Sequence, residues 1–116
     1  MDYKFINTEY LEMVAGGDKD LLKELIGMFR DQVDEFVAEM NLLFNDKNYQ
    51  DLGRLAHKAK SSVAIMGMDS LANMLKTFEL QAVEGKSPEK YEYYLSRFKS
   101  ETKSALEELD ILVKNL

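Results

Sequence analysis

From Leu22 to Leu43 the apolar residues Leu22, Ile26, Phe29, Val33, Phe36, Met40 and Leu43 recur at alternating gaps of four and three. That spacing lines one face of an α-helix that packs against other helices. A half-buried strand would need alternation by two, and no valine- or isoleucine-rich alternating segment occurs in the chain. Breakers are scarce, one Pro and six Gly, and they fall between the periodic segments. Asn7 or Thr8 can cap a short helix "TEYLEMVA" that ends at Gly16-Gly17, and Asp18 can cap the long striped one. "NDKN" ends that helix, and Asn48 followed three residues later by Asp51 resembles a capping box. A third helix is expected from about Tyr49 to Met66, stopping at Gly67. Asp69 is the expected cap of a fourth, whose stripe is Leu71, Leu75, Phe78 and Ala82, flanked by Met74. Ser87 before Pro88 reads as the cap of a last helix carrying Tyr91, Tyr94, Leu95, Phe98, Ala105, Leu109, Leu112 and Leu116. Short loops between long helices predict an all-α chain. The expected fold is an antiparallel up-down four-helix bundle with a short additional N-terminal helix across one end.

Composition narrows the chemistry. A chain of 116 residues with 46% apolar content builds one core, so residues 1–116 are expected to form a single helical domain. With no Cys and one His, disulfides, thiolate metal sites and thiol nucleophiles are excluded, and the carboxylates show no calcium-loop spacing. A net charge of −6 argues against nucleic acid as partner. No run approaches the ~20 apolar residues of a membrane span, and "MDYKFINTEY" lacks a leader pattern, which makes the cytoplasm the expected location. The initiating Met and the lack of a linker at either end favour a free-standing protein.

A bundle implies no function by itself, so the single histidine carries the question. It lies in "LAHKAKSSVAIMG", Leu55 to Gly67. At roughly 100° per residue, Leu55, Ala56, Ala59, Val63 and Met66 cluster within about 60° of Leu52, whereas His57 lies at roughly 140°. It is therefore expected outside the core. Its helical neighbours are Gly53, Arg54, Lys60, Ser61 and Ala64. Gly53, Ser61 and Ala64 are small enough to let another protein approach, and Arg54 and Lys60 are cations suited to a group that gains negative charge. A neutral imidazole is a competent nucleophile, but no carboxylate stands three or four residues away on the same helix to orient it. "GGD" at Gly16 to Asp18 is too short for a nucleotide-binding loop. The chain is thus equipped to accept and hand on an electrophile, with activation, positioning and Mg²⁺ left to a partner.

The stretch "AHKAKSSVAIMGMDSLANMLKTFE", Ala56 to Glu79, resembles the signature of histidine-containing phosphotransfer (HPt) domains, with His57, Lys60, Ser62, Gly67, Leu71 and Glu79 at the signature positions. "AGGDKDLLKELIGMF", Ala15 to Phe29, also matches what such domains carry before the histidine helix. The resemblance implies that His57 is the phosphoacceptor, taking a phosphoryl group from a receiver-domain aspartate and passing it to another receiver. Lys60 would neutralise phosphoryl charge. The family commonly has Gly where this chain has Ser61, whose small hydroxyl can donate to a phosphoryl oxygen. The implied partners are receiver domains of response regulators or hybrid histidine kinases. The chain would be a monomer with no cofactor of its own, and the receiver would supply Mg²⁺. Gly53, Arg54 and Ala64 would contact the partner, together with Tyr10, Leu11, Leu21 and Met28. Mutual packing of those four apolar side chains competes with that docking role. Ser62 is expected to face a neighbouring helix and Gly67 to end its own. The competing functional readings are a helical interaction module without phosphotransfer and, more weakly, a dimerising structural bundle.

Overall fold

The computed structural model describes residues 3–116; Met1, on which the free-standing expectation partly rests, lies outside the described residues. Five α-helices follow in order: α1 (Thr8–Ala15), α2 (Lys19–Asn45), α3 (Tyr49–Ile65), α4 (Asp69–Val83) and α5 (Tyr91–Lys114). A single 3₁₀ turn, Pro88–Lys90, precedes α5, and no strand occurs among the described residues. The chain is all-helical. No helix among these residues is long and apolar enough to cross a membrane.

Capping follows local chemistry at three starts and departs from expectation at two. The Asn7 carboxamide accepts the Tyr10 amide at 3.1 Å, and the Asp18 carboxylate accepts the amides of Asp20 and Leu21 at 3.0 and 3.1 Å, so orphan donors of both first turns are satisfied. Asn48 does cap α3, but its side chain also donates to the Asp51 carboxylate at 2.9 Å, so the reciprocal half of a capping box is missing. Asp69 is not a cap: it is the first residue of α4, preceded by Met68, which makes no side-chain capping bond. Its charge instead sits in the first turn, where the helix dipole favours an anion. Nor does Ser87 cap α5. Its backbone is left-handed (φ 56°) and Pro88 opens the 3₁₀ turn. The corner is held instead by the buried Tyr91 hydroxyl, which donates to the carbonyls of Gln81 at 3.0 Å and Lys86 at 2.5 Å.

Cross-helix contacts fix which ends meet. Gly53, early in α3, lies against Val83 at the end of α4. Tyr94, early in α5, donates to the Gln81 side chain late in α4 at 2.9 Å. Arg30 in the first half of α2 pairs with Asp110 near the end of α5, and Ser62, late in α3, donates to Gln32 of α2 at 2.9 Å. The core between these seams contains Phe29, Met40, Leu52, Leu75, Phe78 and Phe98, none more than 2% exposed. The expected stripe weakens at its ends: Phe36, Leu43 and Leu112 are half-buried and Leu116 is exposed, because the last turns extend past their neighbours.

The segment before α1 is tied down from two sides. The amides of Lys4, Phe5 and Ile6 donate to the Glu108 carboxylate of α5 at 3.0, 2.9 and 3.2 Å, and the Asn7 amide donates to the Met66 carbonyl at 3.2 Å. Gly67 (φ 76°) lies directly beneath Asn7, so only a residue without a side chain fits there. Thus anchored, α1 packs on α2 and α3. Leu11 is fully buried, a position worth about 1.5–3 kcal/mol of hydrophobic stabilisation. This corrects the expectation that Leu11 meets a docking partner: it belongs to the core.

Candidate functional site

Residues Gly53, His57, Lys60 and Ala64 fall on one flank of α3 because they are spaced by four, three and four. That flank borders α4. A Cβ at Gly53 would meet Val83 Cγ2 at 2.8 Å, the Val83 amide nitrogen at 2.9 Å and the Glu79 carbonyl oxygen at 3.0 Å. Gly53 is buried, and its role is to let α3 and α4 approach closely. The expectation that it clears space for a partner is therefore wrong. The helical cost of Gly, roughly 1 kcal/mol relative to Ala, is offset by backbone packing between the helices.

One turn further along the same flank, the close approach brings a carboxylate to the imidazole. His57 Nδ1 lies 3.0 Å from Glu79 Oε1. The histidine side chain is 57% exposed and the glutamate 23%. A carboxylate only accepts, so Nδ1 is the donor and Nε2 is left with its lone pair facing outward. Lys60 Nζ stands 3.8 Å from the same Glu79 oxygen. A single half-buried carboxylate thus orients the imidazole and holds a cation beside it. The third group absent from α3 itself is supplied by α4. Glu79 stands in the sequence as the last residue of the signature, the one available signal, but nothing in the spacing of α3 and α4 assigns it this contact.

The other expected site residues divide. Ser61 is exposed and lies on the lip of an open cleft of about 120 Å³ between α2 and α3, lined chiefly by Leu25, Met28, Phe29 and Ile65. The bonded pair Ser62–Gln32 also borders this cleft; Ser62 faces α2, and nothing in the sequence singles out Gln32 as its partner. Arg54 is exposed and holds Asp51 at 3.0 Å, while Ala64 is half-buried beside α4. Tyr10, Leu21 and Met28 all expose apolar surface, Met28 most at 54%.

Compared with known protein families, the chain matches the family model of the Hpt domain over residues 24–111. It belongs to that family. Comparison with curated proteins and with solved structures gave no significant match. Hpt domains carry out histidine phosphotransfer in two-component signalling and interact with receiver domains, so the class of function follows from membership.

Proposed function

We propose that this chain is a phosphorelay intermediate that accepts a phosphoryl group on His57 from a receiver-domain aspartate and passes it to a second receiver. The observation that carries the reading is the Nδ1–Glu79 contact of 3.0 Å on an exposed imidazole. In the forward step Nε2 attacks phosphorus, the N–P bond forms, and the acyl-phosphate P–O bond breaks with the aspartate carboxylate leaving. The ring keeps its Nδ1 proton and becomes cationic, and the Glu79 carboxylate offsets that charge. Lys60, already beside Glu79, turns its ammonium to the phosphoryl oxygens, and the Ser61 hydroxyl donates to one of them. The reverse sequence, with a new aspartate attacking, discharges the protein. Mg²⁺ comes with the receiver, and the chain contributes no cofactor of its own.

We further read residues 1–116 as one domain, an antiparallel up-down four-helix bundle with α1 across one end, monomeric and cytoplasmic. The end-to-end contacts between neighbouring helices support the architecture. Arg54, Ala64, Tyr10, Leu21 and Met28 surround the docking area in this reading. The test is incubation with a phosphorylated receiver and Mg²⁺, scored by acid-labile label on the chain. Label is expected on wild type and at background on His57→Gln. Label that persists in His57→Gln, or no label from several receivers, overturns the reading and leaves a helical interaction module.

A further inference from the structure

A surface that must be met transiently by a partner needs an apolar centre and charges that set orientation. The cleft between α2 and α3 has both. Its walls are the side chains of Leu25, Met28, Phe29 and Ile65, and its mouth opens beside Ser61, one helical turn from His57. The polar pair at its edge, Ser62 and Gln32, is already satisfied internally at 2.9 Å and asks for no outside partner. The cleft therefore favours an apolar side chain over a polar one.

The charges on its two borders are opposite in sign. On α2, Glu24 stands three residues after Leu21 and four before Met28, Asp31 three after Met28, and Glu35 three after Gln32; all three are exposed. On α3 the border carries Lys58, three residues before Ser61, and Arg54 one turn earlier, both exposed. Crossing the cleft from α3 to α2, the surface passes from cationic through apolar to anionic. A partner that brings a phosphorylated aspartate to His57 presents negative charge on the α3 side. The α2 side then demands the opposite.

We infer that the α2–α3 cleft is the specificity-determining dock of this chain. Its occupant is a receiver domain that inserts one apolar side chain beside its aspartate pocket and carries basic residues on the margin beyond it. The inference rests on the phosphotransfer reading above for the identity of the partner. The graded charge fixes one orientation of the docked receiver, because rotating it would oppose like charges on both borders.

The experiment uses two receivers, one with a basic and one with an acidic margin around the aspartate pocket. It measures KM and kcat for transfer to the full chain, and backbone amide shifts of the chain on adding each unphosphorylated receiver. For wild type, KM is expected to be about 10-fold lower for the basic-margin receiver at low salt, with the gap closing as salt screens the rim. Shifts should centre on Leu25, Met28 and Ile65. The double variant Glu24→Lys/Asp31→Lys alters only exposed residues and should invert the preference with an unchanged thermal midpoint. Ile65→Ala, which widens the cleft, should raise KM for the basic-margin receiver by several-fold and leave kcat in place. Equal KM values for both receivers in wild type and double variant would overturn the dock while phosphotransfer stands. Charge-ordered shifts at the cleft with no label on His57 would uphold the dock and overturn phosphotransfer.

Discussion

The seam between α3 and α4 and the seam between α2 and α5 are built on different terms. At the first, a glycine brings the backbones together: the Val83 amide and the Glu79 carbonyl lie where a Gly53 side chain would be. At the second, the helices stand apart enough to leave a groove of about 480 Å³ edged by Val37, Leu106, Lys99 and Lys103, with the exposed Arg30–Asp110 pair bridging it. The closed seam carries the histidine and the carboxylate that orients it. No residue of the candidate site lines the open one. Backbone-to-backbone packing leaves little freedom for a side chain reaching across it, and an imidazole that must keep one tautomer needs that restriction.

The contrast can be tested in graded steps. The largest effect is expected from Glu79→Gln and Glu79→Ala. Loss of the orienting acceptor should slow phosphoryl acceptance by about 10- to 100-fold, with Glu79→Gln retaining part of the rate because its carbonyl oxygen can still accept from Nδ1. Single-turnover labelling from a phosphorylated receiver measures both. Equal rates for wild type and Glu79→Ala would show that the contact does not matter for transfer.

Next in size are two glycine substitutions with opposite signs. Gly53→Ala gains about 1 kcal/mol of helix propensity but overpacks against backbone atoms that have little room to yield, at a cost of about 1–3 kcal/mol. Net destabilisation is expected in urea unfolding, with slower labelling as α4 shifts away from His57. At Gly27, inside α2, an added Cβ would meet nothing within 4 Å. Gly27→Ala should therefore stabilise by about 0.5–1 kcal/mol. If both substitutions stabilise, the α3–α4 seam is not closed in the way described.

A third expectation concerns the α4–α5 corner. Burial, and to a lesser extent neighbouring Tyr49, Glu89 and Tyr94, raise the Tyr91 phenol above its usual value of 10.0. The neutral phenol is thus favoured in the folded state. Its contribution is complete below the unfolded phenol's pKa and is lost as pH rises through the folded one. Stability measured by urea midpoints should fall above about pH 10, and Tyr91→Phe should flatten that fall while leaving two carbonyls short of a donor. An unaltered alkaline limb in Tyr91→Phe would assign the loss to other groups. The smallest change is expected at the open seam. Arg30→Ala removes an exposed ion pair worth about 0–1 kcal/mol, and added salt should erase most of the difference.

Much of the fold is legible in the chain itself. The four-and-three spacing from Leu22 to Leu43, the caps at Asn7 and Asp18 and the breaks at Gly16 and Gly67 are local signals, and helices follow from local signals. The outward angle of His57 is likewise a property of one helix. Ser87 misleads because a Ser-Pro pair suits a cap and a turn equally well, and the choice falls to Tyr91, whose hydroxyl ties the corner to the end of α4. Leu11 and Gly53 mislead for a related reason. An apolar or small residue looks the same in sequence whether a partner or a neighbouring helix covers it.

The helices, their order and the one nucleophile needed nothing beyond the chain, since periodicity, capping and residue inventory act within a few turns. Long-range packing was required to make Glu79, 22 residues from His57, its partner, to give Gly53 the role of bringing that contact within reach, and to set Leu25 and Met28 against Ile65 across a cleft. These depend on how closely two helices approach and at what register. Both are set by the packing of all five helices together and by no single stretch of the chain.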